Sequence, residues 1–126
     1  MKLVTVAAAL ACLALPASAA ADSIVYTKDK DVWLANPDGT RQTQITDDGG
    51  HGNSVTQSED GTIVTTKPPT DCASGTQLIR LDRAGNVLAT DTMPLYWCAG
   101  DIEISPDGRH VAIDAVIFKP GKSPES

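Results

Sequence analysis

Four glycine-centred turns at an almost even spacing constrain the fold of this chain more than any other feature. Their glycines follow one another at steps of 22, 24 and 23 residues. The turns are NPDGT (36–40, with Asp38 and Gly39), SEDGT (58–62, with Asp60 and Gly61), RAGN (83–86, with Gly85) and SPDGR (105–109, with Asp107 and Gly108). Asp-Gly or its equivalent between two apolar segments is typical of a β-hairpin, because such turns need the positive φ that glycine adopts freely. The spacing therefore predicts four hairpins.

The segments that flank these turns are short and rich in Val, Ile and Thr, as strands are. No window of useful length carries a helical period, so the chain after its first 21 residues is predicted to be all-β. The candidate strands are 23–27, 31–35, 43–46, 54–58, 62–66, 77–81, 87–91, 101–105 and 110–118.

The hairpins alternate between two types, so the true repeat holds two hairpins. VWLANPDGTRQTQIT pairs with LIRLDRAGNVLATDT, with Gly39 and Gly85 offset by 46 residues. VTQSEDGTIVTTK pairs with IEISPDGRHVAID, with Gly61 and Gly108 offset by 47. A period of 40–50 residues with four strands is typical of a β-propeller blade.

The residues within this period resemble a known repeat. Ser105 to Ala112, SPDGRHVA, resembles the W-S-P-D-G-x-x-I-A-F core of the TolB-like, or PD40, propeller repeat. Val32 to Gly39, followed by Gln44-Ile45-Thr46, resembles the I-Y-x-x-x-x-D-G … L-T half of that repeat. The chain departs from the pattern at Gln57 and Ile104, where the repeat has Trp, and at 82–85, which lacks the acid before glycine.

The resemblance implies antiparallel four-stranded blades over residues 22–118, in an incomplete propeller of roughly two blades. Counted by blade, the strands fall into groups of three, four and two. Closed propellers hold 4–8 blades, so three explanations stay open: a fragment or truncated reading frame, association with itself or another chain, or a small β-fold of another kind that reuses these hairpins. Residues 119–126 are predicted to form a polar tail.

The N-terminus has the pattern of a secretory signal peptide. Lys2 precedes an apolar run that ends at Pro16, and small residues suited to cleavage follow. Cleavage after residue 21 predicts a secreted or periplasmic protein. Because Lys2 leaves with the signal, nine basic and 16 acidic residues remain, a net charge of −7. This balance speaks against nucleic acid and anionic membranes as partners, since phosphate binding needs clustered cations.

Two cysteines remain after cleavage, Cys72 and Cys98. Outside the cytoplasm such a pair predicts one disulfide bond, with a free thiol pair or a metal site as the alternatives. The blade topology implied by the resemblance places both cysteines in loops at the same end of one blade, which favours the disulfide.

Three residues are candidates for a ligand-binding face: His51 in the connector DDGGHGN, and Tyr96 and Trp97 beside Cys98. The blander interpretations are a flexible solvent loop for His51 and packing over the disulfide for the two aromatic residues. No D-x-D-x-D/N-G run for calcium and no G-x-S-x-G nucleophile turn is present. We therefore expect no catalytic residue, no bound metal and no cofactor.

The resemblance implies a binding or scaffolding role, because TolB-like propellers dock peptides or proteins at the mouth of their channel. This expectation comes from the fold alone. The alternatives are the front of a hydrolase of the prolyl oligopeptidase type whose catalytic domain is missing, or an inert truncated product.

Overall fold

A computed structural model describes residues 23–69 and 71–117, apart from the side chain of Cys72. The predicted signal peptide and the whole predicted tail, 119–126, lie outside these residues. The described part is all-β with one short 3-10 helix, Cys72–Ser74. Its strands are β1 (Ile24–Lys28), β2 (Asp31–Ala35), β3 (Thr43–Gln44), β4 (Val55–Gln57), β5 (Ile63–Lys67), β6 (Gln77–Leu81), β7 (Val87–Thr92), β8 (Trp97–Ile104) and β9 (Val111–Ile117).

The strands form three antiparallel sheets in chain order. The first sheet holds β1-β2-β3, the central sheet β4-β5-β6-β7, and the last sheet β8-β9. In each sheet the strands lie side by side in the order in which the chain visits them, so every connection is local. The predicted grouping into three, four and two strands is confirmed, and so is the all-β class. Within residues 23–69 and 71–117, no sheet closes on itself.

Two apolar clusters hold the three sheets in a stack. Strand β5 joins them, because Ile63 belongs to one cluster and the adjacent Val64 belongs to the other. Successive residues of a strand point to opposite faces, so the central sheet is covered on both sides. Full burial of one such side chain contributes about 1.5–3 kcal/mol. The first cluster consists of Val32, Leu34, Ile63, Ile79 and Leu81; the second has Val64, Ile102 and Ile104 at its centre.

The first strand of the central sheet, β4, and the residue before it are also joined by hydrogen bonds to β8, the first strand of the last sheet. The backbone N–H of Ile102 donates to Ser54 Oγ at 2.9 Å, and that of Ile104 donates to Thr56 Oγ1 at 3.2 Å. Polar side chains of the central sheet thereby satisfy backbone groups of the last one. These bonds explain how β4 and the residue before it, which carry Ser and Thr side chains, can pack against β8.

The four glycine turns share one construction. The N–H of each glycine donates to the carbonyl three residues earlier at 2.8–3.0 Å, and every one of these glycines has a φ between 71° and 88°. Three loops have three residues, which is typical of a type I turn followed by a left-handed residue. The fourth is one residue longer, because the N–H of Ser105 donates to the carbonyl of His110, five residues later, whereas the first residue of each other turn donates to the carbonyl four residues later.

An aspartate oxygen in each turn accepts backbone N–H groups. Asp38 Oδ1 accepts from Thr40 N at 2.9 Å, and Asp60 and Asp107 make the equivalent bonds at 3.0 Å. In the third turn Asp82 takes this role from a different position, with 2.9 Å bonds from the N–H groups of Ala84 and Asn86. The absent acid before Gly85 is therefore replaced by an acid at the start of the turn.

Candidate ligand-binding site

The glycine turns and the connectors lie at opposite ends of the sheets, as antiparallel strand order requires. At the turn end, Glu59 N donates to Pro106 O at 3.2 Å, so turns of neighbouring sheets touch. At the connector end, Gly52 N donates to Thr66 O at 2.6 Å. The segment between β3 and β4 is thereby held against the end of β5, where His51 lies.

His51 is buried, with 4% of its surface exposed. Its backbone N–H donates to Lys30 O at 3.0 Å, and its Nε2 lies 2.9 Å from Asp48 Oδ1. A carboxylate only accepts, so Nε2 carries the proton and Nδ1 is left as a buried nitrogen without a partner. The interpretation of this connector as a flexible solvent loop is wrong at His51, because tertiary packing fixes it.

Asp48 links the connector to the central sheet. One carboxylate oxygen meets His51, and the other forms an ion pair with Lys67 at the end of β5. The hydrogen bond from Lys67 holds the pKa of the Asp48 carboxyl below its usual value of 3.8; His51 acts in the same direction, and partial burial opposes both. The sequence does not indicate the ion pair, because Lys67 lies 19 residues after Asp48 and leaves no local signal.

Asp31, at the start of β2, lies beside this pair. One ligand atom from each of Asp31, Asp48 and His51 falls within 4.8 Å of the others. The carboxylate of Asp31 already accepts hydrogen bonds, at 3.0 Å from both Thr46 Oγ1 and Gly49 N. Two carboxylates and an imidazole are suitable donors for a divalent cation. A cation bound there would compete with Lys67 for the Asp48 carboxylate. We therefore interpret Asp31, Asp48 and His51 as a hydrogen-bonded network that anchors the connector.

A cleft opens between the first and central sheets beside this network. Its volume is about 320 Å³, within the range of small-ligand sites. Its apolar part is formed by Ile45, Ile79 and Leu81, and its polar end by Asp47, Asp48, His51 and Lys67. Val87 and Thr90 of β7 line its outer side. The cleft therefore offers an apolar surface next to two carboxylates and one ammonium group.

Tyr96 and Trp97 do not reach this cleft; they lie at the start of the last sheet. Trp97 and Cys98 were predicted to be part of a connector, and this is wrong. They belong to β8 and pair with Ile117 and Val116. Strand β9 has seven residues, and β8 extends along it past an irregularity in the pairing between Ala99 and Ile102. Tyr96 is half-buried with a φ of 65°, and it forms the turn that enters β8.

The disulfide stays a prediction, because the side chain of Cys72 lies outside the described part. The backbone is consistent with it: the 3-10 helix that begins at Cys72 contacts β8, which contains the half-buried Cys98. Thr76, two residues after this helix, also bonds to β8, since its Oγ1 accepts from Ala99 N at 3.1 Å.

No family model, no curated protein and no solved structure matches this chain. Among residues 23–69 and 71–117 there is no helix of the length and apolar character needed to cross a membrane. The site is therefore interpreted from its own residues.

Proposed function

We propose that this protein is an exported binding module built from TolB-like propeller blades, and that it binds an extended peptide segment of a partner protein. The stack of antiparallel sheets in chain order, with the central sheet covered on both faces, supports the blade arrangement. The pattern of the N-terminal residues supports export.

The observation that carries the binding role is the cleft between the first and central sheets. An apolar pocket with a few convergent polar groups is the usual form of a recognition site. Ile45, Ile79 and Leu81 suit an apolar side chain, while Asp47 and Asp48 outnumber Lys67 at the polar end. The preferred peptide therefore carries an apolar residue with a basic residue beside it.

Two neighbouring residues of β7 provide a matched test. Val87 and Leu88 are both exposed, at 62% and 55%, but only Val87 lines the cleft. A displayed peptide library is selected on the purified protein, and the affinity of an enriched peptide is measured by fluorescence anisotropy. Val87→Trp is expected to weaken binding at least about tenfold by filling the cleft, whereas Leu88→Trp leaves it unchanged. Equal effects of the two variants, or no enriched peptide, would rule out the proposed site.

A further inference from the structure

The outward face of the first sheet, on the side away from the central sheet, carries an aromatic pair and a cation. Val32 and Leu34 point toward the central sheet, so the intervening Trp33 points outward. Its ring stacks on Tyr26, with centroids 6.4 Å apart and an interplanar angle of 26°. Lys28 Nζ lies 5.0 Å from the centre of the Trp33 ring. The face thus presents an apolar surface with the exposed ammonium of Lys28 at one end, next to the half-buried carboxylate of Asp31, which already accepts hydrogen bonds from Thr46 Oγ1 and Gly49 N.

The outward face of the last sheet has the complementary character. Ile102 and Ile104 pack toward the central sheet, so Glu103, between them, faces away. Glu103 pairs with Ala112 across the sheet, and Asp114 follows two residues later on the same side of β9. All three are exposed. This face therefore presents a small apolar side chain between two carboxylates.

We propose that two copies of this chain associate through these faces, the first sheet of each copy stacking on the last sheet of the other. Strand β5 of the central sheet shows that a strand is buried on both faces when a sheet packs on each side of it. Lys28 faces the acids of the other copy, and the aromatic pair covers Ala112. Two such contacts close the pair, since the described residues of two copies supply six sheets, within the 4–8 of closed propellers. The inference rests on the blade arrangement proposed above.

The test is the mass of the exported, purified protein in solution, measured by sedimentation equilibrium. The expected result is a species of twice the mass of one chain. Lys28→Glu is expected to raise the dissociation constant at least about tenfold, because it places like charges together. Glu103→Lys combined with Asp114→Lys is expected to do the same. A variant that carries all three substitutions is expected to form the pair again, because Glu at position 28 then faces Lys at positions 103 and 114.

Arg109→Glu is the matched control, because this exposed turn residue makes the same change of charge away from both faces. It is expected to leave the dissociation constant unchanged, and circular dichroism checks that each variant keeps its strand content. A single-chain mass at about 100 μM, an open-ended series of larger species, or failure of the triple variant to restore the pair would overturn the inference. Peptide binding is measured separately. If the protein is a single chain that still binds the selected peptide, only the proposed association is overturned. If it forms the pair but binds no peptide, only the proposed function is overturned.

Discussion

Replacing Gly85 with Ala is expected to destabilise the protein far more than the same change at Gly39. The two turns have the same construction and nearly equal φ values, 85° and 81°. A methyl group at Gly39 meets nothing within 4 Å, so Gly39→Ala carries only the left-handed backbone cost of about 1–2 kcal/mol. At Gly85 a Cβ overlaps the carbonyl oxygen of Ile45 and lies 2.9 Å from its carbonyl carbon.

The overlap with Ile45 disturbs the contact between the first and central sheets, and this adds a second cost in free energy. Ile45 packs against the cluster around Ile63, and its backbone cannot rotate away as a long side chain does. Moving it opens that contact, which adds about 2–4 kcal/mol, the range for loss of a well-packed core side chain. Gly85→Ala therefore costs about 3–6 kcal/mol out of a total stability of roughly 5–15 kcal/mol.

Urea unfolding of both variants, followed by tryptophan fluorescence and far-ultraviolet circular dichroism, measures the difference. Trp33 lies in the first sheet and Trp97 in the last, so fluorescence also reports whether the first sheet separates early. The free energies of unfolding should differ by at least about 2 kcal/mol. Equal losses, within about 0.5 kcal/mol, would show that the turn at Gly85 does not touch the first sheet, and the stacking described above would be wrong.

Three further predictions concern charge and covalent links. The hydroxyl of Ser58 and the N–H of Thr62 hold the pKa of Asp60 below its usual 3.8. The ionised carboxylate therefore stabilises the fold above pH 3.8, and this stabilisation is lost as the pH falls through the lowered pKa. Asp60→Asn should reduce the difference in unfolding free energy between about pH 7 and about pH 2.5, measured by urea titration. Lys67→Met removes the partner of Asp48 and should weaken the anchoring of the connector, which faster amide exchange at His51 would reveal. If Cys72 and Cys98 are bridged, alkylation of the denatured, unreduced protein should label neither, and Cys98→Ser should cost about 3 kcal/mol; labelling of both thiols would refute the bridge.

The strand plan was predictable because its signals are local. A glycine that needs positive φ, with Val, Ile and Thr on either side, specifies a hairpin without reference to the rest of the chain. The strand 77–81 was placed to the residue, and 87–91 was one residue short of the observed end at Thr92. The predicted strand 43–46 is shorter in the structure, because Ile45 and Thr46 leave the ladder and bond to Val32 O individually.

The connector into the last sheet was misjudged for a physical reason. Gly100 has low strand propensity, so the sequence suggested a loop that ends there, before the strand predicted at 101–105. In the structure the pairing register shifts there, and Trp97 and Cys98 pair with β9 beyond the irregularity. The strand propensity of a residue depends on that residue alone. It does not indicate that the partner strand, β9, is long enough to continue the pairing on both sides of Gly100 and Asp101.

The candidate site was visible in the sequence only as the single residue His51. Its burial depends on Gly52, where a side chain would collide with Thr66, and on Lys67, which reaches the same carboxylate as the imidazole. The apolar part of the cleft comes from β6 and from the residue after β3, some 35 residues apart along the chain. Contacts of this kind are set by the stacking of sheets, which a strand pattern predicts only in outline.

Asp82 shows how one hairpin turn keeps the structure of the other three although its residues differ. The other three turns have an aspartate before the glycine, and Ala84 stands there instead. What the turn needs is a carboxylate within reach of two backbone N–H groups, and Asp82 meets that need from the first position of the turn. Asn86 adds a bond from its own side chain to the second oxygen at 2.9 Å. The hairpin therefore depends on where an acceptor can be placed rather than on one residue at one position, and departures from the motif at this turn do not weaken the assignment of the strands beside it.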